Sequence, residues 1–314
     1  MNNDPFFDSY EPQATDGHQP IIVIRMDPDI PPGWAPPPPP PVRRRRRVVL
    51  PLVLFLATCF STFLGYFVVS GSSSNALVYA ISVMTILVCH EAGHFIQAWR
   101  YRVYASLPYF IPMPITPLGT LGAVIGMEAR VGDRKAIFDI GISGPLAGLV
   151  PTLICTIIGI GHMAALPAAM PETPEFVFGA PLLFRWIEQW MLGIVPQGLD
   201  ITDNPIAFAG WVGLLITSLN LMPIGQLDGG HILYGLLRRR AHTVSWMVLL
   251  GGIAAMVIFN AKGWIVMAML LLVIGPQHPP TANDDVPLGP FRVLLGWLTL
   301  AFVLIGFTPW PLGR

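Results

Sequence analysis

Charged side chains are scarce in this 314-residue sequence: 18 Lys and Arg with 18 Asp and Glu make up 11% of it, against 53% hydrophobic residues. With a mean hydropathy of +0.61, that scarcity argues against soluble domains and for a polytopic membrane protein. The charges also cancel, so the total points to no partner of either sign, and no nucleic acid is expected among the partners. Cysteine is nearly missing. The three present, Cys59, Cys89 and Cys155, fall in apolar runs with no CxxC spacing, so they read as buried thiols and exclude a disulfide framework. A cleavable signal peptide is missing too, and the acidic, proline-rich N-terminus is wrong for an organellar transit peptide. The first apolar run is therefore expected to act as its own uncleaved signal. No internal repeat is visible.

Hydrophobic runs are what the chain has in excess. They recur at 48–70, 76–99, 136–160, 206–224, 243–260, 263–275 and 291–308, several near the roughly 20 residues that cross a bilayer core. The expected fold is an all-α polytopic membrane protein with about six or seven transmembrane helices. Within 243–275, Asn260, Lys262 and Gly263 either turn a short hairpin or interrupt one long helix. Arg43 to Arg47 precede the first run, which by the positive-inside rule holds the N-terminus in the cytoplasm. Alternating spans then bring Arg100, Arg102, Arg130, Arg134, Lys135 and Arg238 to Arg240 to that same side. The 161–205 loop, on the other side, sets only Arg185 against Glu172, Glu175, Glu188, Asp200 and Asp203. A bacterial cytoplasmic membrane suits this orientation.

Three segments depart from the apolar pattern. Residues 1–47 are acidic, then proline-rich, and end in the arginine block. That composition predicts a disordered tail, serving as a spacer or as a ligand for an aromatic-groove module, with the arginines also suited to anionic lipid. The remainder, 48–310, is expected to be one transmembrane domain. Between Arg102 and Lys135, Pro108, Pro112, Pro114, Pro117 and regular glycines exclude a smooth helix. They predict a re-entrant loop or β-hairpin at the membrane face, tolerated there only when buried in protein or lining a watery cavity. In the 161–205 loop, residues 180–195 form an amphipathic stretch whose Trp186 and Trp190, four apart, suit a membrane interface.

The residues least at home in lipid are His90, Glu91 and His94, in "LVCHEAGHFIQAW" (87–99). The HExxH spacing puts both imidazoles on one face of a helix with the carboxylate close by, an arrangement suited to a zinc ion with a general base beside it. Two other readings exist: satisfied structural histidines, or ligands of a metal-ion pathway. A buried carboxylate between two histidines needs a compensating partner such as a metal, and a carrier needs ligands but no base. A third ligand must come from elsewhere. "SLNLMPIGQLDGGHILYGLLRRR" (218–240) is the other apolar segment with a carboxylate near the predicted cytoplasmic end, which makes Asp228 the candidate. Asp228 could instead cap a helix that starts at Gly229. Pro223 interrupts the run, so the chain there need not be a regular helix.

HExxH in a span, followed far downstream by Asn220, Pro223, Asp228 and Gly229 in the order Asn-x-x-Pro-x-x-x-x-Asp-Gly, resembles the site-2 protease family of intramembrane zinc metalloproteases, peptidase family M50. "GISGPLAG" (141–148) is similar to the Gly-Pro-rich helix between the two motifs in that family. "PYFIP" (108–112) and "GTLGAVIG" (119–126) resemble its membrane-associated β-hairpin, so the matched core runs over 80–240. The resemblance implies Zn2+ held by His90, His94 and Asp228, with Glu91 as general base and later proton donor to the leaving amine. It implies that Asn220 holds the substrate strand or polarises the scissile carbonyl; on the residues alone Asn220 is equally a helix-packing amide. Gly119, Thr120 and Gly122, with Pro223, would meet an unwound substrate segment, the loop by strand addition. The substrate implied is a membrane-anchored protein cut in or beside its transmembrane helix near the cytoplasmic face.

Several residues are given plainer roles. Gly144, Pro145 and Gly148 allow close helix contact or a kink. Asp139 lies within a turn or so of Arg134 and Lys135 and is expected to pair with them, and Glu128 and Arg130 to form a solvated loop pair. His231 is expected at the membrane border or just behind the ligands, and His18, His162, His242 and His278 receive no role. The PDZ domain and C-terminal CBS pair of many relatives have no counterpart, so the resemblance is to the PDZ-lacking type. The competing function is a non-proteolytic metal carrier or helix-binding scaffold.

Overall fold

The computed structural model of the protein describes residues 48–127, 132–163, 178–193 and 201–308. The tail at 1–47, the Glu128–Arg130 pair and the loop acids Glu172, Glu175 and Asp200 lie outside the described residues. In chain order the elements are α1 (Val49–Ser70), α2 (Ser73–Arg100), the strands β1 (Tyr109–Met113) and β2 (Gly119–Val124), α3 (Arg134–Met163), α4 (Leu182–Leu192), α5 (Pro205–Asn220), α6 (Asp228–Leu237), α7 (Arg240–Ile258), α8 (Ile265–Ile274) and α9 (Pro290–Gly306).

Local chemistry sets the helix ends. Gly71, at φ 63°, stops α1 by donating its N–H to the Phe67 carbonyl, and Ser72 accepts the Asn75 N–H to start α2. Asp133 Oδ1 accepts the Ala136 N–H at 2.7 Å to start α3, and Asn204 Oδ1 accepts from Ile206 and Ala207 to start α5. α2 has 28 residues, so it is about 42 Å long and carries His90 and His94 well inside it.

Among the described residues, α1, α2, α3 and α7 are long and apolar enough to cross a membrane, while α5 and α9 are apolar but shorter. For α5 the shortening comes from a break beside its apolar run, and a second break divides α7 from α8. Run 206–224 ends as helix at Asn220, ahead of Pro223, and resumes as α6 only at Asp228. Run 243–275 is not one helix: Asn260 takes φ 52° and a 3-10 turn over Lys262–Trp264 separates α7 from α8. Leu249 and Leu271 then pack into one cluster with Ile224, so the chain doubles back between them.

The loop after α2 is an antiparallel hairpin, with a bulge between Phe110 and Pro112. Thr120 fills the bulge, its Oγ1 donating to the Ile111 carbonyl at 3.1 Å and accepting the Gly122 N–H at 3.0 Å. The hairpin packs on α1. Gly119, at φ 70°, sits so close to the Ser61–Thr62 backbone that any Cβ would overlap it.

Behind the hairpin, α3 and α5 run antiparallel with small residues in contact, Thr152, Thr156 and Gly159 facing Gly213, Gly210 and Ala207. Small side chains let membrane helices approach closely where lipid offers no hydrophobic drive. At one end of this interface Tyr66, Tyr79, Phe208 and Trp211 are wholly buried. Their polar tips are satisfied by backbone, with Tyr66 donating to Thr202, Tyr79 to Leu118 and Trp211 to Gly179.

Asp139 does not pair with Arg134 or Lys135. Its carboxylate accepts two bonds from Arg292 of α9, at 2.7 and 2.9 Å, and one from the Tyr101 hydroxyl. The reason is direction: Asp139 points into the protein among α3's buried residues, while Arg134 reaches away to the Gly235 and Leu236 carbonyls, the unsatisfied C-terminal end of α6. On α4, Phe184 is buried while Trp186 and Trp190 are exposed, the two-faced arrangement expected of an interfacial helix.

Candidate metal centre

His90 and His94 lie one turn apart on α2, and Asp228 is the first residue of α6. The helices bring the three together across 138 positions of sequence, with Asp228 Oδ2 3.0 Å from His90 Nε2, Asp228 Oδ1 3.1 Å from His94 Nε2, and the two Nε2 atoms 3.2 Å apart. Asp228 therefore does not cap its own helix. It spends both oxygens on the histidines.

Those separations fit a metal. Bonds of about 2.0–2.1 Å in a tetrahedral zinc site put neighbouring ligand atoms about 3.3 Å apart. His94 Nδ1 is 2.8 Å from the Ile140 carbonyl, which can only accept, so Nδ1 carries a proton and the ring turns Nε2 toward the cluster. Two imidazole nitrogens and a carboxylate this close need a cation among them, a metal ion or a proton. Glu91 adds a second sign: it is 4% exposed, and its Oε2 has no hydrogen-bond partner among the described residues. An unpartnered carboxylate oxygen is costly inside a protein unless a ligand or water completes it. His90, His94 and Asp228 are thus positioned as a metal site.

α3 seats the ligands. A Cβ on Gly144 would overlap the His94 ring, and one on Gly148 would meet His90 Cβ at 2.9 Å. Glycines four apart on α3 therefore face histidines four apart on α2. Ser143 links the two helices, its Oγ reaching the Gly93 carbonyl at 3.0 Å.

The sequence profile of Peptidase family M50 matches residues 78–259, a stretch that contains every one of these groups. The chain belongs to that family.

Among curated M50-type relatives, the probable zinc metalloprotease EGY1, chloroplastic, of Oryza sativa subsp. japonica is 35% identical over 165 residues, covering 51% of this chain and 28% of its own length. The Arabidopsis thaliana protein of the same name is 30% identical over 243 residues, covering 74% and 43%. The probable zinc metalloprotease EGY2, chloroplastic, of Arabidopsis thaliana is 29% identical over 240 residues, covering 76% and 42%. The chain thus spans less than half the length of these relatives. No solved structure matches it.

The other residues expected in the M50 site are distributed around this centre. Asn220, the last residue of α5, brings its Nδ2 to 3.3 Å from His90 Nε2. Pro223 lies in the turn between α5 and α6, its carbonyl accepting from Ser245 of α7. Thr120 and Gly119 are buried within the hairpin, and Gly122 approaches Ile216, one turn before Asn220 on the same face of α5. His231 is buried one turn beyond Asp228. Two further contacts left no sign in the sequence: the Ile140 carbonyl carries no side-chain signal, and His278 meets His231 of α6 from 47 positions away. Arg134, expected beside Asp139, reaches the end of α6 instead, while Gly144 and Gly148 make the close helix contact expected of them.

Proposed function

We propose that this chain is a zinc metalloprotease that hydrolyses a peptide bond in or beside a transmembrane helix of a membrane-anchored protein, near the cytoplasmic face, as in regulated intramembrane proteolysis. The observation that carries the reading is the convergence of Asp228 of α6 on His90 and His94, which lie with Glu91 on a helix apolar enough to cross a membrane, the Glu91 Oε2 having no partner among the described residues. The relatives, named as probable zinc metalloproteases, support the same chemistry.

Zinc held by these three residues supplies a Lewis acid that polarises the scissile carbonyl and acidifies water. Glu91 accepts the water proton as the oxygen attacks the carbonyl carbon, and returns it to the nitrogen as the C–N bond breaks, so acid and amine leave with atoms balanced. Its burial keeps bulk water from competing for that proton. Asn220 steadies the carbonyl or the strand that carries it. Gly122 and Pro223 would meet an unwound substrate segment, with the buried Gly119 and Thr120 holding the shape of the hairpin behind it, and the strand edges outside the β1–β2 pairing support strand addition.

The membrane reading follows the same lines. α5 and α9 with the four long helices make six spans, and α8 a seventh. α5 and α6 form one broken span whose ends are covered by protein rather than lipid. Residues 48–310 form the catalytic domain and 1–47 an extramembrane tail. The arginine distribution supports an N-terminus on the side where the arginines collect, which we read as cytoplasmic; the bacterial membrane has no support from the relatives, whose names are chloroplastic.

The test is zinc content together with cleavage of a single-pass substrate by purified wild type and Glu91→Gln in detergent. Both proteins are expected to hold about one zinc, with cleavage by the variant down by roughly 10²–10⁴-fold. Zinc missing from folded wild type, or full activity in Glu91→Gln, defeats the reading.

A further inference from the structure

The segment between α8 and α9 folds back over α6, the helix that presents Asp228. His278 is its central contact. Its ring stacks on Tyr234 at 4.3 Å and stands edge-on to His231 at 4.7 Å. Its Nδ1 lies against the Pro279 carbonyl, so Nδ1 carries the proton. Burial, with the facing His231 adding to it, pushes the His278 pKa down and keeps the ring neutral. Nε2 therefore accepts, and the 2.6 Å contact is a donation from His231 Nδ1–H. Further along the strap, Asp284 accepts from the Tyr234 hydroxyl at 2.9 Å and from Thr281 at 2.6 Å, and Leu288 is buried against Ile232.

We propose that His278 is a positioning residue for Asp228: seated between His231 and Tyr234, it fixes the rotation of α6 and so the direction in which Asp228 presents its carboxylate to His90 and His94. This rests on the metal reading above. The lever is geometric. A carboxylate roughly 6 Å from the helix axis moves about 1 Å for each 10° of rotation, whereas metal–ligand distances tolerate only about 0.2 Å. Tyr234 and His231 lie one and two turns from the C-terminal end of α6, where Arg134 holds the last carbonyls. The strap and Arg134 together fix α6 along its length.

The experiment is Co2+ titration of purified full-length protein, read by its visible absorption, for wild type, His278→Leu and His278→Gln. His278→Leu is expected to weaken Co2+ binding by about tenfold or more and to alter the absorption that reports ligand geometry. His278→Gln is expected to recover both, because its amide oxygen can accept from His231. Asp285→Ala, which removes only the exposed pair with Arg238, is expected to change neither. Wild-type affinity and absorption in folded His278→Leu overturns the proposal. Should that variant not fold, His278→Phe, which keeps a ring on Tyr234 but cannot accept from His231, takes its place under the same criterion. A wild type that binds no Co2+ overturns the metal reading itself, and the positioning role with it.

Discussion

Gly144→Ala is the sharpest single-atom test of how the ligands are held. The added Cβ overlaps Nε2, Cδ2 and Cε1 of His94 at once, so the ring has to retreat until the contact reaches about 3.5 Å. That displacement exceeds about 1 Å, enough to cost on the order of 100-fold where geometry is tight. Stability responds differently. Replacing a helical glycine gains about 1 kcal/mol against about 1–3 kcal/mol for overpacking, a net loss of at most about 2 kcal/mol. The variant is therefore expected to fold, with zinc affinity or peptidase activity down by about two decades, equivalent to about 2.7 kcal/mol. Zinc competition against a chelating dye, beside thermal unfolding of the same preparation, separates the two effects. Wild-type zinc affinity and activity in a folded Gly144→Ala would refute the claim that α3 seats His94. A parallel loss of all three would reduce the effect to misfolding.

Arg292→Met leaves the Asp139 carboxylate, 11% exposed, with Tyr101 but without its cation. It is expected to cost about 3 kcal/mol, read as a lower unfolding midpoint in detergent; Asp139→Asn with Arg292→Met together should recover part of it, and no recovery speaks against a specific pair. Burial and His231 hold the His278 pKa at about 3 in the folded protein, against 6.5 as the ordinary value. The folded state then binds fewer protons, so the stability contributed is complete above pH 6.5 and is lost as pH falls from 6.5 toward 3, by about 1.4 kcal/mol per unit. His231, His242, Asp284 and Tyr234 face the same ring, so the discriminating measurement is the difference in pH slope of unfolding between wild type and His278→Gln; equal slopes would remove His278 from the account.

How much of this was written in the sequence differs from feature to feature. The helices follow the apolar runs closely because burial in lipid or protein requires the same composition. Membrane-spanning length was harder to read, because the breaks at Asn220 and Asn260 end helices inside runs that stay hydrophobic. HExxH announced two ligands by spacing alone, since i and i+4 share a helix face. Asp228 needed a separate argument from predicted depth, and the structure brings its oxygens to the histidines. Asp139 was misread for a physical reason: nearness in sequence suggested Arg134, yet helical rotation turned the two apart and offered Arg292 from 153 positions away. The strap over α6 was illegible because its contacts join histidines and an aspartate from segments with no shared pattern.

The 138-residue separation between His90 and Asp228 has a consequence for biogenesis. Translation runs from the N-terminus, so α2 enters the membrane with two imidazoles and a carboxylic acid long before α6 leaves the ribosome. A nascent chain released anywhere before Asp228 lacks the third donor, and the partly built protein cannot assemble the full donor set. If the proposed hydrolysis needs all three donors, premature termination before Asp228 yields a fragment without it.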